Sequence, residues 1–205
     1  MIGLGQIFTI LFVTLGPLKV LAPFAQRTRG IDEATTRRIA WWTFSVATFG
    51  IVAGSFLGRS MLQNWGVSIP ALMLTGGIVF FLVALRQLLE QYEPVHTAPP
   101  EALPASPVAA ATRLVFPMVL TPYGVVAVIT LLTTSADTER TVMILGLVLV
   151  VMVLDLLAML LARRIVVGFA VVILQVIGSV LAVLQVALSV EFMIAGLRSL
   201  GVLAG

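Results

Sequence analysis

The sequence predicts an all-α polytopic membrane protein, with six transmembrane helices arranged as a 3+3 inverted repeat and the first helix of each half broken. Three observations carry this reading. The 205-residue chain is 60% hydrophobic and only 10% charged, whereas a soluble domain carries about 25% charge. Its apolar residues fall into runs of the length, roughly 20 residues, that crosses a bilayer core. Two of these runs, at corresponding places in the two halves, are interrupted by proline.

The first run is Leu4–Ala25, and it is too long, with no basic residue ahead of it, for a cleavable signal peptide. It contains the stretch LGPLKVLAPF, Leu15 to Phe24, in which Gly16, Pro17, Lys19 and Pro23 are all poor occupants of a buried helix. The second run is Ile39–Met61. Asp32 and Glu33 ahead of it favour a helix N-terminus, and Glu33 and Arg37 are spaced i,i+4, so this helix is expected to begin before Ile39. The third run is Ile69–Leu89, the fourth Arg113–Leu132, the fifth Thr141–Ala162 and the sixth Val171–Leu197. Only Arg163, Arg164 and a short stretch through Gly168 separate the last two.

Between the halves, Glu90 to Thr112 carries Pro94, Pro99, Pro100, Pro104 and Pro107 and reads as a non-helical linker. The chain is therefore one integral membrane domain, with repeat 1 over 1–90, a proline-rich cytoplasmic linker over 91–112, and repeat 2 over 113–205.

Basic residues set the orientation. Arg27, Arg29, Arg37, Arg38, Arg86, Arg113, Arg163 and Arg164 flank one side of the spans, against Arg59, Arg140 and Arg198 on the other. The positive-inside rule then puts both termini on the non-cytoplasmic side of a bacterial inner membrane. Net charge is +3, but the arginines border apolar runs instead of forming a patch, so nucleic acid is not an expected partner. The chain has no cysteine, which excludes disulfides, thiolate metal sites and thiol redox chemistry. The single histidine, His96, lies in the linker without a partner cluster. No metal site and no cofactor are expected.

Leu120 to Ala127, LTPYGVVA, matches Leu15 to Ala22, LGPLKVLA, at an offset of 105, through Leu15/Leu120, Pro17/Pro122, Val20/Val125 and Ala22/Ala127. Three spans per half is an odd number, so the second half enters the membrane inverted. Broken first helices in inverted repeats are a recurring transporter plan, with substrate at the breaks near the bilayer midplane. The other reading is a pair of proline kinks that serve helix packing.

A zwitterion needs partners for a carboxylate and for an ammonium. Half-helix N-termini offer N–H groups to the first, and unwound carbonyls accept from the second. The candidate substrate-binding residues are therefore Gly16, Pro17, Leu18 and Lys19 in the first break and Thr121, Pro122, Tyr123 and Gly124 in the second, facing one another across a central cavity. Gly16 permits close backbone approach, Thr121 and Tyr123 add hydroxyls, and Gly124 adds flexibility.

Lys19 lies about 9 Å and Asp155 about 10 Å from the cytoplasmic ends of their spans, at about 1.5 Å per residue. Three readings of Lys19 stand: snorkelling to the interface, an ion pair or coupling with Asp155, and contact with a substrate anion. Asp155 is alternatively a carrier of a coupling ion, H+ or Na+. Glu191 is within reach of Arg198, and Gln175 and Gln185 suit interhelical hydrogen bonds. Gly50, Gly54 and Gly58 form a small-residue ridge at i,i+4 spacing, and Gly76-Gly77 permits a close crossing against a broken helix. Packing within the chain is the default use of that ridge, and a homo-oligomer is the sharper one.

Several of these segments also carry a family likeness. Gly16-Pro17 with Phe24 falls where an Asn-Pro motif followed by phenylalanine is usual. VSIPALMLTGGIVFFLVAL, Val67 to Leu85, is the closest match, to a Ser-Ile-Pro opening followed by a Gly-Gly pair. Pro117 with Thr121-Pro122-Tyr123 stands in register with a Pro and then Gly-Pro-Gly, and Gly178 and Gly196-Leu197 match the last helix. On these residues the whole chain resembles the MarC family of bacterial inner-membrane proteins. Its departures are Gly16 for asparagine, the lost glycines around Pro122, and Lys19 in place of a small residue. The resemblance implies six spans in a 3+3 inverted repeat and transport of small neutral amino acids such as glycine and alanine.

The expected function is secondary transport or export of small neutral solutes, with the lipid bilayer and a small-molecule substrate as partners. The alternative is a non-transporting membrane scaffold or accessory subunit, which would leave the prolines idle. An enzyme is not expected, because Asp155, Glu191 and a loop histidine make no convergent set of acids, bases or ligands. Gly76-Gly77 has no lysine or hydroxyl at phosphate-loop spacing, so transport would be driven by a gradient or by exchange.

Overall fold

Proline decides where the helices of this protein stop. The computed structural model describes residues 3–90, 103–104, 106–135, 137–165 and 169–202. Within them the chain forms α1 Leu4–Leu15, α2 Leu18–Arg27, α3 Glu33–Trp65, α4 Ile69–Glu90, α5 Pro107–Leu114, a π-helical turn Val115–Val119, α6 Pro122–Thr133, α7 Thr138–Ile165 and α8 Phe169–Ser199. The residue ahead of a proline is pushed out of the helical region by the ring. Gly16 ahead of Pro17 is extended at φ −71°, ψ 171°, Phe116 ahead of Pro117 at φ −118°, ψ 130°, and Thr121 ahead of Pro122 at φ −93°, ψ 143°. Of the two prolines in LGPLKVLAPF only Pro17 interrupts the helix, and α2 runs on through Pro23.

Among the described residues five stretches are long and apolar enough to cross a membrane: Leu4–Arg27, Glu33–Trp65, Ile69–Arg86, Thr138–Ile165 and Val176–Ser199. The expected fourth span, Arg113–Leu132, is divided among α5, the π turn and α6. Its apolar part α6 has 12 residues, about 18 Å at the helical rise. The linker also ends sooner than expected, because α5 begins at Pro107. Proline at the first helical position costs no hydrogen bond, since that N–H has no partner inside the helix. The remaining linker prolines Pro94, Pro99 and Pro100, His96, Gly168 and the side chain of Gln175 lie outside the described residues.

The helix of the second span, α3, starts at Glu33, as its acidic entry suggests. The Asp32 carboxylate caps it by accepting from the Thr35 N–H at 2.8 Å, and Gly66 at φ +66° ends it in the left-handed region that glycine tolerates. α3 packs on α5, α6 and α7, α4 packs on α6 and α8, and α7 packs on both α1 and α2. The main core runs between them, through Leu11, Leu15, Phe24, Ile51, Leu132 and Met152 among others.

Close approach between α4 and α8 depends on missing side chains. A Cβ on Gly77 would stand 2.6 Å from Met193 Cγ, and one on Gly196 would stand 3.0 Å from the Pro70 carbonyl oxygen. Gly76 lies against Val126 of α6, while on α3 Gly50 meets Leu120 and Gly58 meets Ile129; Gly54 faces open space. In lipid, such backbone proximity supplies the dispersion contact that the hydrophobic effect supplies in water.

Arg163, near the end of α7, closes the turn between α2 and α3. Its guanidinium donates to the Thr28 carbonyl at 2.6 Å, to the Ile31 carbonyl and to Thr36 Oγ1 at 3.0 Å. Two arginine-bearing stretches of the sequence, 27–38 and 163–164, are thereby held at one end of the bundle. Exposed Trp41 and Trp42 follow Arg37 and Arg38 on α3, the order expected of a helix passing through headgroups into lipid.

Two outcomes follow for this end of the molecule. Arg163→Met should cost about 2–3 kcal/mol, because the buried Thr28 carbonyl loses a charged donor; an unchanged thermal midpoint in detergent would contradict it. Asp32 has its carboxyl held below the usual carboxylate range, first by the Thr35 backbone N–H and then by the Thr35 side chain, with Arg163 adding a smaller attraction. Its contribution is therefore complete above the ordinary value near 4 and is lost as pH falls through the lowered one. Asp32→Asn keeps a capping oxygen without a titrating proton, so the variant should lose less stability than the parent between pH 5 and pH 2 on the same thermal assay (about the range over which a depressed carboxylate protonates).

Candidate functional site

The site is built on the carbonyls that Pro17 leaves without donors. In an unbroken helix the N–H of residue 17 would bond the Val13 carbonyl and that of residue 18 the Thr14 carbonyl. Proline has no N–H, and the chain turns away at Gly16. Both carbonyls lie inside the bundle, where a polar group without a partner is costly. Other parts of the chain supply their donors. Gln185 of α8 donates from Nε2 to the Val13 carbonyl at 3.2 Å. Thr121 donates from Oγ1 to the Thr14 carbonyl at 3.1 Å, and the Lys19 ammonium donates to that same carbonyl.

These bonds bring the two breaks together. Thr121 is the N-cap of α6, its Oγ1 accepting from the Gly124 N–H at 3.3 Å. Its hydroxyl thus caps one half-helix and donates to the end of another. Gly124 lies inside α6, buried against Leu15 and 2.8 Å, at its would-be Cβ, from Thr121 Oγ1. Its small size admits Leu15 beside the cap. A Cβ on Gly16 would run into the Phe12 carbonyl, so this corner too needs a glycine. Pro17, Leu18 and Pro122 are half-buried around the junction.

Lys19 rises from the first turn of α2, and its ammonium turns back toward the break, away from the interface. Besides the Thr14 carbonyl it reaches Thr121 Oγ1 at 3.4 Å and lies 5.4 Å from the centroid of the Tyr123 ring. A cation suits both neighbours, since the end of α1 is the negative end of its dipole and the ring face is electron-rich. Tyr123 is itself fixed by stacking on Phe80 of α4 at 4.2 Å. Its hydroxyl is buried with no hydrogen-bond partner among the described residues.

Asp155 lies in the middle of α7, 1% exposed, and neither carboxylate oxygen has a hydrogen-bond partner among the described residues. Among the described residues no hydrogen bond joins it to Lys19, whose ammonium is engaged at the break. Glu191 stands apart, 3.8 Å from Arg198 on the exposed end of α8. Among the described residues no three His, Cys, Asp or Glu side chains gather as a metal site would require.

Thr14 and Phe80 belong to the junction but are positions that reading by motif passes over. Thr14 contributes a backbone carbonyl, which any residue has, and Phe80 is one of many apolar residues in its helix. Counting back four residues from the missing Pro17 N–H finds Val13, and the next carbonyl, at Thr14, loses the Leu18 N–H because the chain turns at Gly16.

Among the described residues the regular structure is helical, five stretches are long and apolar, and the backbone breaks at Gly16 and Thr121 are buried in protein, which makes this a polytopic membrane protein. The family model described as MarC family integral membrane protein matches residues 2–200, nearly the whole chain, and the protein belongs to that family. No curated protein and no solved structure matches it.

The geometry makes Gln185 answerable to Pro17. Gln185→Leu should destabilise the protein by about 1–3 kcal/mol by leaving the Val13 carbonyl bare. Pro17→Ala restores an N–H at that position, so Gln185→Leu should cost less in its presence. Strict additivity of the two substitutions in thermal or denaturant unfolding would sink this account.

Proposed function

We propose that this MarC family member is a secondary transporter or exporter of small neutral solutes, small neutral amino acids such as glycine or alanine in the first place, and that it is not an enzyme. The observation that carries the reading is the pairing of the two breaks. Gly16-Pro17 and Thr121-Pro122 are offset by 105 residues, both open the helix with an extended residue, and they meet through Thr14 and Thr121.

The pattern of packing supports a six-span 3+3 inverted repeat, in which α1 with α2 corresponds to α5 with α6, α3 to α7, and α4 to α8. Under that correspondence the contact of α1 and α2 with α7 is matched by the contact of α5 and α6 with α3, and α3 with α7 and α4 with α8 are self-matched pairs. The first turns of α2 and α6 would offer N–H groups to a carboxylate, and the Thr14 carbonyl would accept from an ammonium. With a gradient or exchange as the energy source, H+ or Na+ is the coupling ion, and the protein works in a bacterial inner membrane with both termini outside the cytoplasm.

Liposomes loaded with purified protein should show saturable, protein-dependent uptake of labelled glycine and alanine that responds to a sodium or proton gradient. No flux across a broad solute panel would favour the scaffold reading, in which the direct contact of the breaks serves packing alone. The chain has no cysteine, so single cysteines report topology cleanly. Gly3→Cys should react with a membrane-impermeant maleimide on intact cells and Arg29→Cys only after lysis; the reverse pattern would invert the orientation.

A further inference from the structure

We infer that Lys19 is a tethered occupant of an ammonium subsite made by the Thr14 carbonyl, the Thr121 hydroxyl and the face of Tyr123, and that a substrate's ammonium takes this place by sending Lys19 to Asp155. The inference rests on the amino-acid reading above and says how that substrate is admitted.

A primary ammonium carries three donors and no acceptor. The junction offers it a carbonyl oxygen at the negative end of α1, a hydroxyl oxygen and an aromatic face, which are the partners such a group prefers. The Lys19 ammonium already holds all three. Incoming substrate therefore meets a filled subsite, and the exchange is one ammonium for another at the same oxygens.

The displaced lysine needs somewhere to go, because a charged side chain without a partner inside a span is expensive. Asp155 provides the place. Its two oxygens are buried and without a hydrogen-bond partner among the described residues, and it belongs to the helix that packs on both α1 and α2, the elements that carry Thr14 and Lys19. A buried carboxylate without a donor is as costly as a stranded lysine, so each relieves the other. Solutes that lack an ammonium have nothing to exchange and leave Lys19 in place.

The test uses the full chain in nanodiscs and calorimetric titration with glycine, and with methylammonium as a probe of the subsite alone. Lys19→Met vacates the subsite, so glycine should bind about tenfold tighter and methylammonium should bind where the parent ignores it. Lys19→Gln, which keeps donors for the Thr14 carbonyl and guards against misfolding of the first variant, should fall between Met and the parent. Asp155→Asn should weaken glycine about tenfold in the parent, and should have no effect once Lys19 is Met. Weaker glycine binding in Lys19→Met would overturn the inference, since Lys19 would then be receiving the substrate's carboxylate. Additive effects of the two substitutions would overturn it as well. Methylammonium binding to Lys19→Met with no glycine binding in any variant would keep the subsite and reject the amino-acid reading, and binding of neither by any variant would reject both.

Discussion

Two backbone carbonyls, those of Val13 and Thr14, organise the centre of this protein. The Val13 carbonyl is a free acceptor because Pro17 cannot donate, and the Thr14 carbonyl because the extended turn at Gly16 carries the Leu18 N–H away from it; both lie inside the bundle. The bundle answers with one donor from α8, one from the second break and one from α2. A defect in one helix thereby becomes the tie between three others, and the fold around the junction follows from satisfying it.

Thr121 shows why the second break has to lie against the first. Its hydroxyl accepts from the Gly124 N–H and donates to the Thr14 carbonyl, so one side chain begins α6 and finishes α1. Such a double use requires the chain to be extended at Thr121, which Pro122 imposes, and requires room beside it, which Gly124 supplies. The closeness of α4 and α8 is a separate solution, made with Gly77 and Gly196, and it leaves α4 free to present Phe80 to Tyr123. The rigidity of that aromatic pair in turn fixes the ring face beside the Lys19 ammonium.

Much of this was legible in advance. The long helices lie where unbroken apolar runs predict them, because in lipid a run of such length has no alternative to helix. The breaks fall at Pro17 and Pro122 because a missing donor and a restricted preceding residue are local facts. The fourth run was less legible. Pro117 adds a further kink to it, and the π turn between Val115 and Val119 has no marker in composition. The linker estimate overshot at Pro107 because proline is a breaker in the middle of a helix and an ordinary first residue at its start.

The sequence by itself determined that this is a helical membrane protein of the MarC type with two proline breaks and a lysine beside one of them. Only the tertiary structure decided where that lysine points and which groups complete the breaks. Its partners are a carbonyl five residues back, a threonine and an aromatic ring more than 100 residues on, and Gln185 reaches across 172 residues. A backbone carbonyl has no letter in the sequence, and the cost of leaving one bare is felt only where packing has removed the water.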